Sequence, residues 1–315
     1  MIFEIGMLIS GLVVLAFASD KTIDIASRLA ATANIPPLLI GIVVLSMGTS
    51  LPEISNSVVS TVSGHPEINV GDTFGSSLSQ ITLIFGLAVL IAGPIKEGRR
   101  DVLLLGGCAI MGAMLALFAV ESGEITLINA VFLIASYFIL IFISNKYTVK
   151  KYAAPEGVEA KKYWPRADRL RGSGKLLFFL IGIVAASILI VNSTVELSRE
   201  IGIPPYLVSF FAIAIGTSLP ELFVAVSAIR KGQDELAMGN ILGSNITDTT
   251  LAIAAGPLIA PSVLPEAGLA IATGTYLVFS SIVVIMLFAW RKKLDRFAAM
   301  VLLGLYAASY LFLFA

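Results

Sequence analysis

The chain has 315 residues, of which 57% are hydrophobic and only 13% are charged, and its mean hydropathy is +0.94. A soluble domain is about 45–50% apolar and about 25% charged, so this composition excludes an ordinary soluble globule, a disordered chain and a nucleic-acid-binding surface. The single Cys108 and the single His65 exclude an internal disulfide and a histidine-based metal site. The class that remains is a polytopic membrane protein, in which 21 basic residues balance 21 acidic ones.

Apolar runs that are long enough to cross a bilayer recur along the whole chain. A helix needs about 20 apolar residues to cross about 30 Å of hydrocarbon. The first run lacks a basic n-region and a small-residue cleavage site, which favours a retained helix over a signal peptide. We predict an all-α membrane protein with ten transmembrane helices at residues 2–18, 37–63, 69–93, 101–120, 125–143, 175–195, 205–229, 236–260, 267–289 and 297–314.

The distribution of basic residues predicts the orientation. Segment 144–174 is polar and rich in Lys and Arg, so the positive-inside rule places it in the cytoplasm. Counting helices outward from it places all but one of the 21 basic residues on the same side, the exception being Arg199. The other predicted cytoplasmic loops are 19–35, 94–100, 230–235 and 290–296.

This count predicts a multi-pass protein of the plasma membrane with both termini outside. It also predicts three parts of the chain: a first five-helix repeat at 1–143, a cytoplasmic linker at 144–174 and a second five-helix repeat at 175–315. The linker is too short for a sizeable domain of its own.

An internal repeat connects the two halves. The hexapeptide GTSLPE at 48–53 recurs letter for letter at 216–221, and the same offset aligns 35–80 with 203–248, with 16 identities in 46 positions and no gap. Because each half has an odd number of predicted helices, the second copy enters the membrane in the opposite orientation. Inverted repeats are typical of secondary transporters, whose substrate sites lie at the repeat interface near the midplane.

The repeated hexapeptide falls in the middle of the second and seventh predicted helices. Gly48 and Gly216 are suited to end a half-helix, whereas Pro52 and Pro220 fit only the first turn of a new one. We therefore expect both helices to be broken at GTSLPE. Irregular backbone at membrane depth is tolerated where it is buried or lines a wet cavity.

With the hexapeptides in the middle of these helices, the acids Glu53 and Glu221 are expected to lie at membrane depth. Intramembrane carboxylates are costly and indicate function. The plainer alternative is a capping box, in which Ser50 and Ser218 pair with these glutamates to satisfy a helix start. A cap alone does not require a carboxylate twice at the membrane centre.

A second motif adds polar residues to the third and eighth helices. It reads GDTFGSSLSQ at 71–80 and GNILGSNITD at 239–248. The glycine spacing predicts close helix packing, but the polar side chains need partners in hydrocarbon. The candidate oxygen ligands are Glu53, Glu221, Asp248, Thr49, Ser50, Ser76, Thr217, Ser218, Ser244 and Gln80.

This all-oxygen set suits a hard cation, and several carboxylates with flexible geometry favour Ca²⁺. Asp72 either adds a fourth acid or lies nearer the outer mouth. Cys108 is expected in the core and His65 in a solvated loop. We find no catalytic motif and predict no enzyme and no organic cofactor.

The two copies of GTSLPE with GDTFGSSLSQ and GNILGSNITD resemble the α1 and α2 repeats of the cation/Ca²⁺ exchanger superfamily, most closely its prokaryotic Na⁺/Ca²⁺ exchanger branch. The resemblance implies a core of the second, third, seventh and eighth helices around one Ca²⁺ site flanked by Na⁺ sites. It also implies that the first and sixth helices slide as a gate.

By motif position, the resemblance implies that Glu53 and Glu221 bind Ca²⁺ and that Thr49 and Thr217 complete this site. Gln80 and Asp248 would occupy the middle site. The residues implied for the Na⁺ sites are Ser50, Ser76, Ser218, Ser244, Met47 and Ala214.

Two departures from the family pattern stand out, since the first repeat usually has Asn at the positions of Gln80 and Asp72. The proton-coupled branch typically has GNxxE where this chain has GTSLPE, which favours Na⁺ over H⁺. We therefore predict a Ca²⁺/Na⁺ antiporter that works by alternating access. A Ca²⁺/H⁺ exchanger with the same site is the first alternative, since close carboxylates favour protonation of one another.

Two further alternatives belong to other classes. A channel would lack counter-ion dependence. An intramembrane hydrolase using Glu53 and Asp248 lacks His or Cys ligands and a nucleophile motif. The expected partners are therefore Ca²⁺, Na⁺ or H⁺, and the lipid bilayer, with no nucleic acid and no obligate protein partner.

Overall fold

The structure is a computed structural model that describes residues 2–32, 49–148, 166–230, 232 and 234–314. Nearly all of these residues are helical. The helices in chain order are α1 Ile2–Thr32, α2 Leu51–Val62, α3 Pro66–Ala92, α4 Arg99–Val120, α5 Leu127–Thr148, α6 Arg166–Ile201, α7 Pro205–Arg230, α8 Asp234–Thr247 with its continuation Asp248–Ala252 and Ile253–Ala255, α9 Ala267–Arg291 and α10 Arg296–Phe314.

Six helices within the described residues are long and apolar enough to cross a membrane, and together they make this a multi-pass membrane protein. They lie in α3, α4, α5, α6, α7 and α9. Two shorter apolar helices, Ile2–Ala18 and Arg296–Leu311, flank them. The count of ten crossings stays a prediction, and residues 37–48 of the second predicted helix lie outside the described residues. The expected loop at 19–35 is wrong over most of its length, because α1 continues to Thr32.

The described helices place polar residues inside and apolar residues outside. In α3, 78% of the apolar 18-residue stretch is buried inside the protein, compared with 33% of the corresponding stretch in α5. Phe138 and Phe142 of α5 are 64% and 67% exposed, whereas Asp72, Ser76 and Gln80 of α3 are almost completely buried. This arrangement suits a lipid surround, because apolar side chains on the outside face hydrocarbon and polar ones find partners within the protein.

Two short antiparallel ribbons connect the halves of the chain. Strand β1, Ile95–Lys96, pairs with β4, Lys293–Leu294, and strand β2, Glu124–Ile125, pairs with β3, Ser262–Val263. The β1–β4 ribbon joins the α3–α4 connection of the first half to the α9–α10 connection of the second half. The β2–β3 ribbon joins the α4–α5 connection of the first half to the α8–α9 connection of the second half. The two ribbons are therefore counterparts under the internal repeat, as an inverted repeat requires.

A further sign of the repeat is a π-helical turn in α3 and another in α8. The first covers Gln80–Ile84 and the second Asp248–Ala252, so both begin at the same position of the repeat. A π-turn adds a residue to a helical turn and is frequent at functional sites. A third one, Ser209–Ile213, lies in α7.

Glycines bring α3 and α7 into backbone contact. A Cβ added at Gly71 would lie 2.5 Å from the carbonyl oxygen of Tyr206, and one at Gly75 would overlap the carbonyl of Phe210. This is the close packing that the glycine spacing predicts for α3. In α8, by contrast, a Cβ added at Gly239 would meet no atom within 4 Å. The α3–α7 contact positions the two helices that carry the candidate ligands from opposite repeats.

The pair α1 and α6 packs together at one side of this core. Gly11 allows the approach, since an added Cβ would lie 2.8 Å from Ile190 Cγ1. Leu12 of α1 also reaches the motif in α7, where a Cβ added at Gly216 would lie 2.5 Å from Leu12 Cδ1. The helix that the resemblance assigns to the gate therefore contacts one of the two hexapeptides.

Helical segments start within both hexapeptides, at Leu51 and at Leu219, while the break of both membrane helices there stays a prediction. In the first, α2 starts at Leu51 with Pro52 in its first turn, and Ser50 makes no capping hydrogen bond, so the capping-box alternative is wrong there. In the second, α7 is interrupted at one residue, Ser218 (φ −85°, ψ 1°), while backbone hydrogen bonds continue on either side of it. Because Pro220 has no N–H, the Gly216 carbonyl lacks its usual helical partner.

Candidate functional site

The two repeated glutamates lie deep in the protein. Glu53 is 2% exposed and Glu221 is 0% exposed, and each stands in the first turn of a helical segment. Both carboxylate oxygens of Glu53 and Oε2 of Glu221 are buried without a hydrogen-bond partner. Buried polar atoms are rarely left unpaired in proteins, so these three oxygens are candidates to bind a cation.

Two hydroxyl pairs join the repeats around these glutamates. Thr49 Oγ1 lies 3.2 Å from Ser244 Oγ, and Thr217 Oγ1 lies 3.1 Å from Ser76 Oγ. Thr49 and Thr217 are counterparts in the repeat, and so are Ser76 and Ser244. The two contacts are therefore related by the internal two-fold symmetry, and each one connects a hexapeptide to the second motif of the opposite repeat.

The amide of Gln80 and the carboxylate of Asp248 meet at the centre. Gln80 Nε2 donates to Asp248 Oδ2 at 2.8 Å, while Asn245 Nδ2 donates to Gln80 Oε1 at 2.8 Å. Asp248 Oδ1 has no hydrogen-bond partner. Because Gln80 and Asp248 are counterparts, their contact crosses the pseudo-two-fold axis.

Asp72 belongs to the same cluster. Its Oδ2 accepts a 2.6 Å hydrogen bond from Asn56 Nδ2, and its Oδ1 accepts from Ser76 at 3.2 Å and from Thr217 at 3.3 Å. Asp72 thus lies beside two predicted ligands, Ser76 and Thr217. Sequence reasoning missed Asn56, although it lies one helical turn after Glu53 and on the same face.

Ser218, Ser50 and Ala214, three further predicted ligands, are all buried. Ser218 Oγ lies 3.2 Å from Ser79 Oγ, a partner that the sequence did not single out. Ser50 is completely buried and its hydroxyl has no hydrogen-bond partner. Ala214 is buried, and its carbonyl accepts the Ser218 N–H at 3.2 Å. Met47 lies outside the described residues.

The acids of this cluster repel one another. Glu53 interacts electrostatically with Asp248, Glu221 and Asp72. Among the described residues, no three acidic, histidine or cysteine side chains converge into a ready-made metal site. The hydroxyls of Ser76 and Thr217 contact Asp72 and that of Ser244 contacts Glu221, so a cation bound here would take a mixed set of oxygens. That composition fits Na⁺ and Ca²⁺ and does not fit a soft metal.

A family model described as sodium/calcium exchanger protein matches residues 3–146 and 173–315. The chain belongs to the sodium/calcium exchanger protein family. Membership makes it a transporter of the cation exchanger type rather than a catalytic enzyme. The two matched segments lie on either side of a gap that falls within the predicted linker.

Individual relatives are similar to this chain over nearly its whole length. Inner membrane protein YrbG of Escherichia coli is 30% identical over 304 residues, which cover 93% of this chain and 90% of YrbG. Sodium/calcium exchanger MaX1 of Methanosarcina acetivorans is 28% identical over 98% of this chain and 97% of MaX1. A solved structure of the sodium-calcium exchanger NCX_Mj, soaked with Na⁺ and Ca²⁺, is similar with a TM-score of 0.62 and 27% identity, covering 98% of both chains.

Proposed function

We propose that this exchanger carries Ca²⁺ in one direction and Na⁺ in the other by alternating access, with both ions bound at the symmetric cluster near the membrane midplane. The observation that supports this most directly is the set of buried carboxylate oxygens without a hydrogen-bond partner, on Glu53, Glu221 and Asp248. A bound cation would satisfy these oxygens.

The proposed roles follow the motif positions. Glu53 and Glu221 bind Ca²⁺ directly, and the hydroxyl and backbone oxygens of Thr49 and Thr217 complete its shell. The Na⁺ ligands and the middle site draw on Ser50, Ser76, Ser218, Ser244, Gln80, Asp248 and the backbone of Met47 and Ala214. The symmetric hydroxyl pairs Thr49–Ser244 and Thr217–Ser76 support this set, because each one brings ligands from two helices together.

The same charges account for obligatory exchange. An empty site leaves several carboxylates facing one another at low dielectric, which is unfavourable. One Ca²⁺ or several Na⁺ remove that repulsion, so only a filled site can pass between the inward-open and outward-open states. Sliding of α1 and α6 would provide the gate, and the contact of Leu12 with Gly216 connects α1 to the site.

The membrane arrangement is part of the proposal. Ten crossings in two five-helix repeats, broken at both hexapeptides, would place both termini outside and the linker 144–174 in the cytoplasm. The ribbon of β1 with β4 supports this grouping, because it joins two loops that the charge count assigns to the cytoplasm. The ribbon of β2 with β3 joins two loops assigned to the outside.

Sodium is the proposed counter-ion, and H⁺ is the alternative. Similarity to MaX1 and NCX_Mj, both named as sodium/calcium exchangers, favours Na⁺. Purified protein in proteoliposomes distinguishes the two. Vesicles loaded with Na⁺ and diluted into Na⁺-free buffer with radioactive Ca²⁺ should accumulate Ca²⁺, whereas vesicles carrying only a pH gradient should not. Uptake driven by the pH gradient alone would replace Na⁺ by H⁺, and uptake without any counter-ion gradient would indicate a channel.

A further inference from the structure

The pairing of Asp72 with Asn56 exists in only one repeat. The counterpart of Asp72 is Asn240, and the counterpart of Asn56 is Val224. Asn240 donates to the backbone carbonyl of Glu221 at 3.3 Å, and its own Oδ1 has no partner. At these two positions, the first repeat therefore carries a buried acid with an amide donor to it, and the second repeat carries neither that acid nor that pairing.

The hydrogen bonds of Asp72 differ from those of the other buried acids. Its Oδ2 is held by Asn56, and its Oδ1 receives the hydroxyls of Ser76 and Thr217. Both oxygens are thus satisfied by protein donors. Glu53, in contrast, has two oxygens without a partner. The donors suit Asp72 to orienting neighbouring groups, whereas the bare oxygens suit Glu53 to binding a cation.

Three oxygens form a triangle that contains only two hydrogens. Ser76 Oγ lies 3.1 Å from Thr217 Oγ1, and Asp72 Oδ1 lies 3.2 Å and 3.3 Å from them. A hydroxyl that binds a cation through its oxygen must point its hydrogen elsewhere. A carboxylate is the strongest available acceptor for both hydrogens, since charge-assisted hydrogen bonds are roughly twice as strong as neutral ones.

The opposite repeat shows what happens without this acid. There, the counterpart hydroxyl of Ser244 donates to Glu221 Oε1 at 3.4 Å and lies 3.2 Å from Thr49 Oγ1. In the first repeat the hydroxyls turn to Asp72 instead, and Glu53 receives neither of them. The two central glutamates are therefore unequal: Glu221 is partly hydrogen-bonded and Glu53 is bare.

We propose that Asp72 is a positioning residue that withdraws the hydroxyl hydrogens of Ser76 and Thr217 from Glu53, so that the hydroxyl oxygens and the whole Glu53 carboxylate face the transported cation. Asp72 itself does not bind the ion. This inference rests on the proposed function, because it takes Ca²⁺ to bind at this cluster. It predicts that the first-repeat half of the site, which contains Glu53, binds Ca²⁺ more tightly than the second-repeat half.

The test is Asp72→Asn in the proteoliposome assay. The Asn56 Oδ1 atom has no partner, so Asn56 can rotate to accept a hydrogen bond from the new amide and preserve the packing. The amide oxygen that replaces the carboxylate is a neutral and weaker acceptor for the hydroxyls of Ser76 and Thr217. We therefore expect the Ca²⁺ concentration for half-maximal uptake to rise about tenfold, which corresponds to about 1.4 kcal/mol of Ca²⁺ binding free energy. The maximal rate should stay within about twofold, and the number of Na⁺ exchanged per Ca²⁺ should not change.

Several results would overturn the proposal. A changed number of Na⁺ per Ca²⁺, or no transport by a folded Asp72→Asn protein, would make Asp72 an ion ligand, and an unchanged half-saturating Ca²⁺ concentration would leave it without a role. If wild-type uptake responds to a pH gradient instead of a Na⁺ gradient, the counter-ion proposal fails. The half-saturating Ca²⁺ concentrations of wild type and Asp72→Asn are then compared under the pH gradient, so the role of Asp72 is tested separately.

A second variant tests the amide partner and covers the case in which Asp72→Asn does not fold. Asn56→Val introduces the residue that the second repeat already has at this position. We expect it to raise the half-saturating Ca²⁺ concentration about threefold by itself and to add nothing to Asp72→Asn, because Asn56 acts through Asp72. No effect of Asn56→Val alone, or multiplying effects in the double variant, would contradict the proposal.

Discussion

Gln80 donates its side-chain amide to Asp248 across the centre of the protein, with 2.8 Å between Nε2 and Oδ2. The two residues occupy the same position of the two repeats, and each begins a π-helical turn. The contact therefore marks the pseudo-two-fold axis with an acid on one side and an amide on the other. A pair of acids at this point would repel, and a pair of amides would lack the charge to attract a cation.

Shortening Gln80 to Asn should weaken this contact. The amide retains its chemistry but loses one methylene of reach, so Asp248 loses the Gln80 donor and Asn245 keeps only the Ile241 carbonyl as its acceptor. We expect the unfolding free energy of the ion-free protein to fall by about 1–2 kcal/mol, within the range for buried and charge-assisted hydrogen bonds. Thermal unfolding in detergent without Na⁺ or Ca²⁺ measures this. Unchanged stability would show that the contact contributes nothing to the empty state.

Gly75→Ala should separate α3 from α7. The new methyl group would overlap the Phe210 carbonyl and lie 2.7 Å from Ala214 Cβ, so the helices must move apart. We expect lower thermal stability together with weaker Ca²⁺ binding, because α3 and α7 carry ligands from opposite repeats. Gly107→Ala is the matched control, since its added methyl group meets no atom within 4 Å and Ala favours a helix. Equal effects of the two variants would contradict the packing argument.

Glu266, which lies outside the ion site, is expected to make the stability of the protein depend on pH. Partial burial, followed by the charge of Glu67, raises the pKa of this carboxyl at the start of α9. A raised pKa means that stability is present below the unfolded pKa and is lost as the pH rises through the folded pKa. Glu266→Gln should therefore be more stable than wild type at pH 8 and not at pH 4, as measured by thermal unfolding. A stability difference that does not change with pH would contradict this assignment.

Much of the symmetric part of the site could be predicted from the sequence. The offset between the hexapeptides aligns Thr49 with Thr217 and Ser76 with Ser244, and these residues form matched contacts. The roles of Asn56 and Ser79 could not be predicted, because they depend on how two helices turn toward each other rather than on spacing along one chain. Helix α1 also runs further than expected, since hydropathy locates a bilayer crossing and not the helical turns beyond it.

The central claim is that the buried glutamates carry the transported Ca²⁺, and Glu53→Gln tests it most directly. Gln keeps the shape of Glu53 but removes the charge, whereas Glu121→Gln makes the same change at an exposed position outside the site and serves as the control. The measurement is Ca²⁺ uptake into Na⁺-loaded proteoliposomes. We predict that Glu53→Gln falls to the level of protein-free vesicles while Glu121→Gln retains wild-type uptake. Near-normal uptake by Glu53→Gln would contradict the account.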